Sequence, residues 1–204
     1  MKDTALMAML TRYGIPAMLL IGLCSVVYVW FSASSTTEPK TGLKTYAVGD
    51  LKSLQIRAEP PIQSDAELLG PDESMLTLAD YQGRILVVNF WGTFCAPCIV
   101  EMPTLAALQD RYDENDLKVM AISVDRVGDF PLARKQLADL TDDRLEFFAD
   151  PTRGVLFDSL VAGFPTTLIY GEDGRELARL EGEADWASED AFSFFDALVS
   201  QASE

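Results

Sequence analysis

The chain has 204 residues, 49% of them hydrophobic, enough for one globular domain of ordinary size with an appendage. Sixteen Lys and Arg stand against 32 Asp and Glu, a net charge of -16, which repels phosphate backbones and argues against nucleic-acid binding. There is no histidine, which removes Ser-His-Asp hydrolysis, Cys-His proteolysis and every metal site built on imidazole.

Residues 15–33, IPAMLLIGLCSVVYVWFSA, carry no charge, and as a helix would span about 28 Å, the thickness of a bilayer core. Cys24 lies within this run, where a thiol behaves as a small hydrophobe. Tyr28, Trp30 and Phe31 gather at its far end as an interfacial aromatic belt, and Lys2 and Arg12 precede it. The expected organisation is a cytoplasmic segment over 1–14, a transmembrane anchor over 15–33, a tether and entry segment over 34–60, and a domain over 61–204. A cleaved signal peptide stays open, because Ser32, Ala33 and Ser34 are small residues suited to cleavage. Residues 34–42, SSTTEPKTG, are polar and aperiodic, as a flexible tether is.

Residues 76–78 and the LADYQGR segment lead into the first long apolar run. Residues 85–91, ILVVNFW, are continuously apolar and rich in β-branched side chains, the pattern of a strand buried on both faces. Residues 97–112 place Ile99, Met102, Leu105, Ala106 and Leu108 on a helical stripe, interrupted by Pro103. A second buried strand is expected over 117–124 and a second helix over 132–140, so strand and helix alternate around a parallel core. A strand over 145–148, a short helix over 153–160 and a strand over 166–170 follow. Glu172-Asp173-Gly174 reads as a hairpin turn into a strand over 176–180, and Ser188 as the cap of a last helix reaching 199.

Cys95-Ala96-Pro97-Cys98 opens the first of these helices. At such a position both sulfurs lie within bridging distance, and the first faces unpaired N–H groups at the positive end of the helix dipole, which favours its thiolate. Cys95 is then the nucleophile that attacks a partner disulfide, and Cys98 resolves the mixed disulfide. A structural zinc site would need two more Cys or His ligands, and the rest of the chain outside the apolar run supplies neither. A static disulfide would close too small a loop to contribute much stability.

The string NFWGTFCAPCIVEMP, with GFPTT downstream and EGEADWASEDAF near the end, resembles the TlpA and ResA branch of thioredoxin-fold proteins, from about Leu76 onward. That resemblance implies a thioredoxin-like α/β fold, a central mixed sheet flanked by helices with an insertion around 127–160. It implies a cis-proline at Pro165, with Phe164 and Phe94 against the client protein. It also implies that Glu101, three residues after Cys98, moves the resolving proton; Glu101 as a solvated helix acid is the bland alternative. Asn89 replaces a buried strand aspartate of thioredoxin and cannot shuttle a proton. Phe94 stands where relatives carry tryptophan, and Trp91 reads as structural.

The resemblance further implies a periplasmic protein-disulfide reductase without cofactor or metal. A membrane thiol donor would supply its electrons, and its clients would be cysteines awaiting haem or copper, in apocytochrome c or an oxidase copper site. The direction of exchange depends on the reduction potential and stays open. A copper-binding chaperone on the same fold lacks a histidine ligand. A thiol peroxidase would want a threonine three residues before its cysteine, whereas Thr93 lies two before Cys95.

Overall fold

The computed structural model describes residues 41–202, and the anchor expected over 15–33 lies outside them. Among the described residues no helix is long and apolar enough to cross a membrane.

Eight strands among the described residues form one mixed sheet: β1 (Gln55–Ile56), β2 (Leu68–Leu69), β3 (Met75–Leu76), β4 (Ile85–Trp91), β5 (Leu117–Ser123), β6 (Phe147–Ala149), β7 (Thr166–Tyr170) and β8 (Glu176–Glu181). Their order across the sheet is β1-β8-β7-β4-β5-β6-β2-β3. β4, β5 and β6 are parallel, while β7 runs antiparallel to β4 and β8 antiparallel to β7. Helices α1 (Ala96–Arg111), α2 (Phe130–Thr141), α3 (Gly154–Asp158) and α4 (Glu189–Ala202) complete the frame.

β4 explains why its sequence is apolar throughout. Successive side chains of a strand point to opposite faces, and here both faces are covered. Ile85, Val87 and Trp91 join the core that contains Met102 and Leu105 of α1, Leu137 of α2 and Phe194 of α4. Leu86, Val88 and Phe90 join a second core with Leu68, Leu78, Phe148 and Val155. Asn89 belongs by this alternation to the α1 face, a polar group in a fully buried strand.

The parallel core and the antiparallel carboxyl end follow the expected pattern, and the hairpin turns where Gly174 adopts φ 73°. Side chains rarely adopt that dihedral, so the turn calls for glycine there. Ser188 Oγ accepts the Ala191 N–H at 3.3 Å and caps α4. β6 pairs with β5 only over 121–123, which leaves the edge of Leu117 and Val119 open. The Gln109 amide fills it, donating to the Leu117 carbonyl at 3.0 Å and accepting the Val119 N–H at 2.7 Å.

The stretch before the domain is more structured than its composition suggests. Two 3-10 turns, Thr41–Tyr46 and Gly49–Leu51, lead to β1, and Leu43, Leu51 and Leu54 are buried in the core beneath α4.

Candidate active site

Three strand ends meet at one edge of the sheet. β4 and β5 are parallel and finish there, and β7, antiparallel to β4, begins there. The loop from β4 to α1, the carboxyl end of β5 and the loop entering β7 therefore converge, in the position where open α/β sheets place their chemistry.

Cys95 and Cys98 form a disulfide, S–S 2.02 Å and Cα–Cα 5.3 Å. Cys95 is the N-cap of α1, and its Sγ accepts the Cys98 main-chain N–H at 3.3 Å. A sulfur in that place takes up one of the helix's otherwise unpaired donors, and the same contact favours a thiolate once the pair is reduced. The pair is also asymmetric, since Cys95 is 7% exposed and Cys98 is sealed. Of the two, only Cys95 is reached by solvent at all.

The loop ahead of Cys95 is held from below. Asp125, just past β5, accepts the Thr93 N–H at 3.0 Å, the Thr93 hydroxyl at 2.6 Å and the Ser123 hydroxyl at 2.9 Å. Asp125 carried no signal of its own beyond lying at the end of an apolar strand, and the sequence reading passed over it. The braced loop presents Phe94, 64% exposed, and its ring meets the Phe164 ring edge to face at 6.1 Å. A side chain at Gly92 would occupy the place of the Phe94 ring. The Phe164–Pro165 bond is cis, and the Pro165 carbonyl accepts the Gly182 N–H at 2.9 Å. The Phe94–Phe164 contact thus brings together the residues that precede Cys95 and the cis Pro165.

Glu101 lies on the other side of the pair. Residues 98, 101, 102, 105, 108 and 109 make one buried stripe of α1, so a helix that turns Cys98 inward also turns Glu101 inward. Its side chain is 1% exposed, which sets aside the reading as a solvated acid. Oε1 accepts from Asn89 Nδ2 at 2.7 Å, and Oε2 from Trp186 Nε1 at 3.1 Å and the Ala184 N–H at 3.3 Å. All three donors are neutral. Burial pushes the carboxyl up to about 7, against the pull of these hydrogen bonds. Asn89 Nδ2 also donates to Thr167 Oγ1 at 2.9 Å, which ties the acid to the strand that follows Pro165. Beside Glu101 opens a cleft of about 510 Å³, lined by Asp50, Lys52, Thr104, Glu183 and Asp185.

Trp186 is a second site residue, beside Asp125, that the sequence did not single out. It lies within EGEADWASEDAF, and nothing local marks its indole as a partner of a residue 85 positions away. Trp91 is fully buried, and its Nε1 has no partner among the described residues. No group of three or more His, Cys, Asp or Glu side chains among the described residues comes together as a metal site.

A model of the AhpC/TSA family matches residues 63–175. The thiol-disulfide oxidoreductase ResA of Bacillus cereus is 28% identical over 134 residues, which cover 66% of this chain and 74% of that one. The thiol:disulfide interchange protein HelX of Rhodobacter capsulatus is 34% identical over 111 residues, 54% of this chain and 60% of its own length. In fold, the chain is similar to a thiol:disulfide interchange protein DsbE from Chlorobium tepidum, with a TM-score of 0.60 at 24% identity, over 69% of this chain and 96% of that structure. A sulfur pair of unequal exposure at a helix start supports thiol–disulfide exchange, the chemistry named for the two sequence relatives. The chain belongs to the AhpC/TSA family, as a thioredoxin-like thiol–disulfide oxidoreductase with a Cys-x-x-Cys redox pair.

Proposed function

We propose that this chain is a TlpA-like reductase, anchored through residues 15–33 with its catalytic domain in the periplasm, and that it reduces client cysteines during cytochrome c or oxidase copper-site maturation. The observation that carries the reading is the division of labour around the pair: a slightly exposed Cys95 at the helix N-terminus, a sealed Cys98, and a buried acid one turn further along α1.

The exchange then runs in two displacements. The Cys95 thiolate attacks a client disulfide, a Cys95–client bond forms, and one client sulfur leaves as a thiolate that takes up a proton. Glu101, ionised, takes the proton of the Cys98 thiol; Cys98 attacks Cys95, the intramolecular disulfide forms, and the second client sulfur departs. Two electrons pass from the dithiol to the client, and a dithiol carrier returns the pair to its reduced form. Phe94 and Phe164 present an apolar surface that suits the chain flanking a client cysteine. In the thiol peroxidase alternative Thr93 would serve the reacting sulfur, but its hydroxyl donates to Asp125. A copper chaperone would need soft ligands and an imidazole, and the chain has no histidine.

Cys98→Ser is expected to trap a mixed disulfide through Cys95, and mass spectrometry of the adduct identifies the client. Trapping of glutathione alone argues against the maturation role. A reduction potential of the full chain near about -120 mV, that of a strong oxidant, contradicts the reductive direction. A membrane-impermeant maleimide that labels reduced Cys95 in intact cells supports the external placement, and labelling only after lysis refutes it.

A further inference from the structure

Glu101 is buried among neutral donors, and the most distant of them in sequence belongs to the segment between β8 and α4. Trp186 is itself 0% exposed. Its ring packs against Phe195 of α4 at 6.3 Å, and its indole N–H points at Glu101 Oε2. Its main-chain N–H donates to Thr104 Oγ1 at 3.2 Å, and that hydroxyl donates to the Glu101 carbonyl at 2.8 Å. Trp186 thus grips α1 twice, once at the acid's side chain and once at its main chain. An indole N–H only donates, so it favours the ionised carboxylate and works against burial.

We infer that Trp186 is a positioning residue for thiol–disulfide exchange in this protein: its indole N–H and its main-chain N–H together hold the Glu101 carboxyl in place. The inference rests on the acid/base role proposed for Glu101. Asn89 makes the matching contact from β4 and fixes the other oxygen. The charged groups that face Glu101 across the cleft are Asp50 and Lys52 from the 3-10 turn and its exit, Glu181 at the end of β8, and Glu183 and Asp185 beyond it. Cys98 faces it from its own helix. The carboxylates oppose ionisation and Lys52 favours it, so the neutral donors act within a mostly acidic surround.

The test is the pH profile of exchange between the full chain and oxidised glutathione, measured from about pH 5 to 9 across the range where Glu101 titrates. In the wild type an inflection is expected close to the value of about 7 set by burial of Glu101. Glu101→Gln is expected to remove it. Trp186→Phe keeps an aromatic ring but loses the donor, and should move the inflection up by about half a pH unit or more, as the loss of one hydrogen bond to a carboxylate implies. Thr104→Val loosens only the main-chain grip and should move it in the same direction by less. An inflection near 7 that survives Glu101→Gln and that the pH dependence of Cys95 alkylation does not reproduce refutes the acid/base reading itself. An inflection abolished by Glu101→Gln but unmoved by both Trp186→Phe and Thr104→Val refutes the role of Trp186. Should thermal unfolding show that Trp186→Phe does not fold, Thr104→Val decides alone.

Discussion

Two glutamates are buried almost equally in this domain, and they are held in opposite ways. Glu176, at the start of β8, is 2% exposed and receives the Arg179 guanidinium through two bonds of 2.7 Å, with Arg57 Nε at 3.3 Å from Oε1. Glu101, 1% exposed, receives only two side-chain N–H groups and a main-chain amide, all uncharged. A buried carboxylate paired with a guanidinium acts as a brace. One with neutral donors stands near the balance between its two forms, which is the property a proton-transfer group needs. The difference teaches that the character of the partners, rather than depth of burial, separates structural from chemical acids.

The largest expected effect breaks the brace. Glu176→Gln leaves Arg179, itself 8% exposed, without its anion, and removal of one partner of a buried pair costs about 3–5 kcal/mol. Denaturant unfolding measures this, and the exchange rate per folded molecule is expected to stay at the wild-type value. Glu101→Gln reverses the pattern. Its exchange rate near neutrality should fall about 100-fold, roughly 2.7 kcal/mol of barrier, as the loss of the acid/base role proposed for Glu101 implies.

Stability of the Glu101 variant sharpens the contrast through its sign. The acid titrates at 4.5 when unconstrained and at about 7 when folded, so the folded state holds a proton that the unfolded state has lost across that window. The wild type is therefore most stable below the lower value and loses stability as pH rises to the upper one, by at most about 3 kcal/mol. Glu101→Gln does not titrate, so its melting temperature relative to wild type should rise between pH 5 and 8. A parallel pH dependence of the two melting temperatures contradicts this. The smallest effect is that of Asp125→Ala, which removes the brace under Thr93 and should cost about 1–2 kcal/mol in unfolding. It should also slow Cys95 alkylation in the reduced protein, because the loop that aims this sulfur loses its support.

Much of the frame was legible locally. The β4 run declared a strand covered on both faces because seven consecutive residues leave no solvent side, and residues 166–170 formed the expected strand to the residue. The helix that follows Cys95 spans Ala96–Arg111 through Pro103, whose ring sits on the exposed face. Residues 41–56 were harder to read, because short 3-10 turns have no long periodicity and the three leucines they bury are separated by polar residues. Expected bounds around the insertion were also loose. The third helix shortened to Gly154–Asp158 where Leu160 takes a positive φ of 54°, a conformation that ends a helix and that side-chain pattern does not announce.

By itself the sequence determined the chemistry: two sulfurs three residues apart at a helix start, no histidine to divert them to metal, and a glutamate on the same helical stripe as the second sulfur. Spacing along one helix suffices for that, because a helix fixes the directions of its own side chains. Only the tertiary structure decided what the acid feels. Asn89 lies 12 positions before it and Trp186 lies 85 after it, and contacts across such separations exist only once β4, α1 and the segment after β8 have packed.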